Sequence, residues 1–158
     1  HLPGDPTVGR DEAGALRAAV QGASAYLKIA DGCRRPCAFC AIPLIKGTAV
    51  SRPLPAIVAE AQRLQEIGVR EIILIAQDTT DYGHDLGMKD GLARLLEELV
   101  RAVPQVDWLR VMYAYPGYVT DRLIELAPVV TKTKHMLGDD FKASEPPTFR
   151  LKLEGTRR

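Results

Sequence analysis

All three cysteines of the chain, Cys33, Cys37 and Cys40, fall within the stretch Gly32–Cys40, GCRRPCAFC. Their spacing is C-x3-C-x2-C, in a polar loop that directly follows the apolar run Tyr26–Ala30. Thiolate is the ligand that iron–sulfur clusters take, and short cysteine runs are how chains supply it. A cubane needs four ligands, so a three-thiolate loop leaves one iron without a protein ligand. That open position would accept a small chelating molecule, much as a catalytic zinc keeps one coordination site open. A disulfide framework fits badly, because the number is odd and nothing else in the sequence suggests secretion. Zinc is the remaining alternative, but it normally closes with four ligands, and His1, His84 and His135 all lie far from the loop in sequence. Unrelated buried thiols would not be expected to gather in one polar loop. The residues therefore favour a cluster.

The surroundings are those of an ordinary protein. With 158 residues, 46% hydrophobic and 26% charged, the chain is long enough for one domain with a real core but short for a complete barrel. A formal net charge of +1 gives no global field that would argue for nucleic acid or a membrane surface. There is no apolar run of membrane-spanning length and no signal-peptide pattern, and clustered free cysteines suit a reducing compartment, so a cytoplasmic location is expected. The first residue is His1 rather than Met, which suggests a fragment.

The elements that must position the cysteines can be read from periodicity. Residues 1–24 read as a linker followed by a short Ala-rich helix over Glu12–Val20. Ala25–Ala30 alternates as a strand, with Leu27 and Ile29 on one face and Tyr26 and Lys28 on the other. Gly32 permits the turn into the cysteine loop, and Ile42–Gly47 is a connection of mixed character. Ser51 is a helix cap before Pro53, and Leu54, Ile57, Val58, Ala61, Leu64 and Ile67 form one helical face that Gly68 ends. The continuous apolar run in Glu71–Ala76 suits a parallel strand covered on both sides. After the polar loop Gln77–Gly83, Asp90 is placed to cap a second helix with the face Leu92, Leu95, Leu96, Leu99, Val100 and Val103. Trp108–Tyr115 is a third strand and Thr120–Ala127 a short third helix. Strand, loop and helix thus recur three times, which predicts parallel βα units. In such folds ligands collect at the C-terminal ends of the strands. The cysteine loop, Gln77–Gly83 and Tyr113–Gly117 all fall at that edge.

With the cysteines placed after the first strand of a βα repeat, the chain resembles the radical S-adenosylmethionine (SAM) superfamily, whose hallmark is C-x3-C-x-Φ-C with Φ aromatic, here Cys33, Cys37, Phe39 and Cys40. The stretches Ala25–Cys33 (AYLKIADGC), Phe39–Pro43 (FCAIP), Gly47–Arg52 (GTAVSR) and Ile75–Gly83 (IAQDTTDYG) look like those of methylthiotransferases. Within that group, Ala76–Thr80 (AQDTT) is similar to the branch that modifies an aspartate of a small-subunit ribosomal protein, whereas the branch acting on a tRNA adenosine usually reads Gly-Gln-Asn-Val there. The resemblance runs from about Ala25 to about Val130.

The resemblance implies an α/β fold, a partial (βα) TIM-like barrel of the radical SAM type, truncated to about three βα units. It divides the chain into a linker (1–24), a radical SAM core (25–130) and an atypical C-terminal tail (131–158) with Pro146-Pro147 and a strand-like alternation in Thr148–Leu153. It implies a [4Fe-4S] cluster on Cys33, Cys37 and Cys40, with SAM chelated to the open iron and cleaved to methionine and a 5′-deoxyadenosyl radical. Sulfur would then be inserted from a second [4Fe-4S] cluster and methylated by another SAM. Contacts to SAM are expected from Phe39 (near the adenine, or else a core aromatic steadying the loop), Arg52 (to a carboxylate, or else solvated), Gln77 and Asp78 (to SAM or substrate, or else to backbone groups). Lys28 and Arg110 are expected to face the barrel interior and to need partners; Arg34 and Arg35 read as solvated, unless they offset cluster charge or touch the ribosome. The implied partners are the ribosomal protein, or alternatively tRNA, and a flavodoxin-type electron donor, with no membrane. The family's second-cluster cysteines and its C-terminal substrate-binding domain have no counterpart in this sequence, and the segment after Val130 does not resemble the family's continuation. A fragment, or a reading-frame change near Thr131, is therefore expected, with a non-catalytic metal-binding module as the rival of another class.

Overall fold

The computed structural model describes residues 18–126. The N-terminal part of the expected linker and the segment 131–158, with the alternation in Thr148–Leu153, lie outside the described residues. Four strands form one sheet in the order β1-β2-β5-β6: β1 is Ala18–Gln21, β2 Ser24–Lys28, β5 Glu71–Ile75 and β6 Trp108–Val111. Two further short strands, β3 (Ala30–Asp31) and β4 (Val50–Ser51), pair with each other antiparallel.

The three expected βα units are present. β2 runs parallel to β5, with Leu27 opposite Leu74, and β5 runs parallel to β6, with Leu74 opposite Val111. Because successive strand side chains alternate between faces, Ala25, Leu27, Ile72, Leu74, Leu109 and Val111 share one side. On it pack α2 (Leu54–Glu66) through Ile57, Ala61 and Leu64, and α3 (Gly91–Ala102) through Leu92, Leu95, Leu96 and Leu99. A short α4 (Asp121–Leu126) adds Leu123. β5 is central, and its Ile72, Ile73 and Leu74 are all buried, as a strand with a continuous apolar run should be.

Four local readings change. The last residues of the expected Ala-rich helix are strand β1, turned onto β2 at Gly22 (φ +60) with Val20 opposite Ala25. The free edge of β2 offers ladder hydrogen bonds that outweigh local helix propensity. Ser51 does not cap α2, whose N-cap is Pro53; its hydroxyl accepts instead from the Gly83 backbone N–H at 2.9 Å. Asp90 does precede α3, but in a left-handed conformation (φ 54) without a side-chain capping bond. The mixed connection after the cysteines contains a short helix, α1 (Ile42–Ile45).

Candidate functional site

The cysteine loop is closed at its base by the β3–β4 pair, so residues 32–49 leave the barrel edge and return to it. Gly32 makes that closure: its φ is +74, and a Cβ there would lie 2.2 Å from the Thr48 carbonyl oxygen. No other residue fits such an approach. The Cys33 N–H donates to the Gly47 carbonyl at 3.1 Å, and the Cys40 N–H to that of Cys37 at 3.0 Å. Below the loop Asp31 accepts from the Gly32 N–H and pairs with Lys28 and Lys46. Burial pushes the Asp31 carboxyl up, but these hydrogen bonds prevail and hold it below the usual carboxylate range.

All three cysteines are free thiols. Cys33 is buried; burial first, and then the nearby charges of Asp78 and Cys40, push its thiol up, against the Arg35 N–H that donates to its sulfur at 3.5 Å. Among the described residues no three His, Cys, Asp or Glu side chains are gathered as for a single metal ion. A cubane spreads its thiolates over several irons rather than round one. The donor set is therefore that of a cluster loop by ligand type, and at the same edge the buried Gln77 Oε1 and Thr79 Oγ1 have no hydrogen-bond partner within the protein. Three soft thiolates on one loop fit an iron–sulfur cluster by ligand type.

The four positions expected to touch SAM fall into two pairs. Phe39 is 94% exposed, which removes its alternative reading as a core aromatic, and Gln77 has the unsatisfied amide oxygen. Arg52 and Asp78 are instead engaged internally. Arg52 is buried, not solvated; its guanidinium pairs with buried Glu60 of α2 and donates to the Lys28 carbonyl at 2.7 Å. Asp78 accepts from the Thr80 N–H at 3.0 Å and from Arg35 Nε at 2.6 Å. The expected partners of the inner-face cations are present: Lys28 meets Asp31, and Arg110 meets Glu71 at 2.6 Å.

Arg34 and Arg35 correct the sequence reading most. Neither is merely solvated. Arg34 clasps Asp81 through Nε and Nη2 at 2.7–2.8 Å. Arg35 is buried, bonds Asp78, and lies with its Cζ 3.5 Å from the Tyr118 ring centroid and 5.3 Å from that of Tyr115. Asp81, Tyr115 and Tyr118 were not anticipated. The available signal was two adjacent cations in one edge loop facing two acids three residues apart in the next.

The third loop joins the same assembly. Tyr113 has a positive φ of 61, uncommon for a side chain of its size, and its carbonyl accepts from the Thr79 N–H at 3.2 Å. Tyr115 and Tyr118 meet edge to face, with centroids 5.6 Å apart. The three loops singled out by sequence thus interlock at the C-terminal edge of β2, β5 and β6.

Known proteins bear on this arrangement. The ribosomal protein uS12 methylthiotransferase RimO of Chloroflexus aurantiacus is 50% identical over 135 residues, covering 85% of this chain and 30% of the relative. That of Chloroherpeton thalassium is 58% identical over 99 residues, 62% of this chain and 22% of the relative. The chain thus spans about 30% or less of the length of these curated relatives. Among solved structures, the radical S-adenosylmethionine methyltransferase TsrM from Kitasatospora setae, with cobalamin and [4Fe-4S] cluster bound, shares the fold with a TM-score of 0.52 at 19% identity, over 67% of this chain and 20% of that one. A family model described as the radical SAM superfamily matches residues 27–133. The cysteine loop, the parallel βα units behind it and this match agree: the chain belongs to the radical SAM superfamily.

Proposed function

We propose that this chain is the cluster-bearing core of a methylthiotransferase that modifies an aspartate of the small-subunit ribosomal protein uS12. The observation that carries the reading is the free C-x3-C-x2-C thiol set on a loop closed at the end of β2, joined to relatives of that printed activity at 47–58% identity. Cys33, Cys37 and Cys40 would hold a [4Fe-4S] cluster, leaving one iron for SAM. When bound, this pair would supply reductive cleavage of the sulfonium to an adenosyl radical.

The chain's own residues would bind and orient. Gln77, with its unsatisfied amide oxygen, would accept a hydrogen bond from SAM or the substrate peptide, and exposed Phe39 would lie against the adenine. Arg52 and Asp78 would support the site from behind, since Glu60 and Arg35 occupy their charged ends. A second cluster, as the sulfur donor, and the uS12-binding surface would belong to the whole protein, as would a flavodoxin-type electron donor and a cytoplasmic setting. Among the described residues no helix is long and apolar enough to cross a membrane.

The test is anaerobic reconstitution of the full chain with iron and sulfide, then measurement of bound iron and of 5′-deoxyadenosine formed from SAM under a strong reductant. Iron bound with a broad sulfide-to-iron absorbance near about 400 nm supports the reading; a colourless, zinc-holding protein overturns it. Cys37→Ala is expected to lose both cluster and deoxyadenosine. Modification of tRNA alone by the whole protein would overturn the choice of substrate.

A further inference from the structure

We infer that Arg35 is a positioning residue for the cysteine loop, locking Cys33 and Cys37 to the loops that follow β5 and β6. The inference rests on the cluster reading above for its functional meaning, though not for its geometry.

Arg35 stands between two of the thiols in sequence, and its side chain leaves the cysteine loop altogether. Nε donates to Asp78 at 2.6 Å in the loop after β5, and Nη2 lies 3.7 Å from Asp81 in the same loop. Its guanidinium plane is covered by Tyr118, 3.5 Å from the ring centroid, in the loop after β6. One side chain therefore touches both neighbouring loops.

The energetics make the contact more than incidental. Asp78 and Asp81 are each only 7% exposed, and buried carboxylates are costly unless paired. Their pairing cations, Arg35 and Arg34, both come from the cysteine loop. Displacing that loop would strand two buried carboxylates at once. The Arg35 backbone N–H also donates to the Cys33 sulfur at 3.5 Å. Hydrogen bonds to ligand sulfur tune the electronic state of an iron–sulfur cluster. A shift of Arg35 thus moves both a ligand and a donor to that ligand. Arg35 acts through Cys33 and is not itself catalytic.

The test uses the full chain as wild type, Arg35→Gln, Asp78→Asn, Tyr118→Leu and Tyr118→Phe. In the iron-free protein the labelling rate of each cysteine by a thiol reagent is followed by mass spectrometry, with circular dichroism to check folding. Loss of the buried charge-assisted bond is expected to speed labelling of Cys33 about tenfold in Arg35→Gln and Asp78→Asn. Loss of the ring face in Tyr118→Leu should speed it several-fold, and Tyr118→Phe, which keeps the face, should restore the wild-type rate. After reconstitution, the electron paramagnetic resonance spectrum of the reduced cluster should shift in Arg35→Gln and Tyr118→Leu but not in Tyr118→Phe. Tyr118 is half exposed, so its variants decide the matter if Arg35→Gln fails to fold. Folded Arg35→Gln, Asp78→Asn and Tyr118→Leu with Cys33 rates within about twofold of wild type would overturn the inference, as would Tyr118→Phe behaving like Tyr118→Leu. A wild type that binds no iron would instead overturn the cluster reading, and the labelling comparison would still judge Arg35.

Discussion

Two residues at the base of the cysteine loop carry constraints of different kinds. Gly32 is conformational: a left-handed φ and a 2.2 Å approach to the Thr48 carbonyl oxygen exclude any side chain. Gly32→Ala should therefore destabilise the fold by about 1–3 kcal/mol, read as a lower denaturant midpoint, and should loosen the cysteine loop with it. Asp31 is electrostatic. Its ordinary pKa is 3.8, and hydrogen bonds from Lys28, Lys46 and the Gly32 N–H outweigh burial to lower it in the folded state. A carboxyl depressed on folding stabilises the protein above its unfolded value, and that contribution is lost as pH falls through the folded value. Stability measured from pH 6 downward should thus drop below about pH 4 in the wild type, and Asp31→Asn should flatten part of that drop. An unchanged acid limb in the variant would show that the Asp31 pairs do not contribute.

At the scale of elements, α2 is tied to the site by the buried pair between Arg52 and Glu60 and by the Arg52 carbonyl, which accepts from the Tyr82 hydroxyl at 2.9 Å. Removing one partner of a buried pair leaves the other charge uncompensated. Glu60→Ala is expected to cost about 3–5 kcal/mol in chemical denaturation, well above the roughly 0–1 kcal/mol of the exposed Arg70–Asp107 pair. An equal, small loss from both pairs would refute this. The periodicity that places α2, α3 and the run Ile72–Leu74 was legible because burial of a face is written locally, residue by residue. The C-terminal edge was legible too, since parallel βα units fix which loops share it. What remained hidden depends on partners distant in sequence. β1 is a strand because the edge of β2 is there to pair with; Ser51 serves Gly83 rather than a helix end; Arg34 and Arg35 look solvated until the loop after β5 brings Asp81 and Asp78 to them. Complementary charges in adjacent edge loops are the one clue a sequence could have offered.

Across the molecule as a whole, the sheet has two unlike faces, and the difference says how the fold serves its site. One face is sealed by α2, α3 and α4 over Leu27, Leu74, Leu109 and Val111. The other carries Tyr26, Lys28, Glu71 and Arg110, all only partly buried, with Ser24 and Arg110 both bonded to the Glu71 carboxylate and Arg110 stacked 5.5 Å from the Trp108 ring centroid. A sealed face contributes stability through burial, and a polar, half-covered face contributes less. The two roles predict unequal responses from residues close in space. Leu74 faces the helices and lies opposite Val111 in the ladder, while Arg110, the residue before Val111, points the other way. Leu74→Ala should cost about 2–5 kcal/mol, because it removes buried methyl groups and leaves a cavity. Arg110→Ala should cost about 1 kcal/mol or less, since its ion pair with Glu71 is partly solvated and Ser24 still serves that carboxylate. Denaturant titrations of both variants measure the contrast directly. Comparable losses would mean that the polar face is as structurally committed as the apolar one, and that the fold does not divide its labour between holding itself together and presenting a surface beneath the cysteine loop.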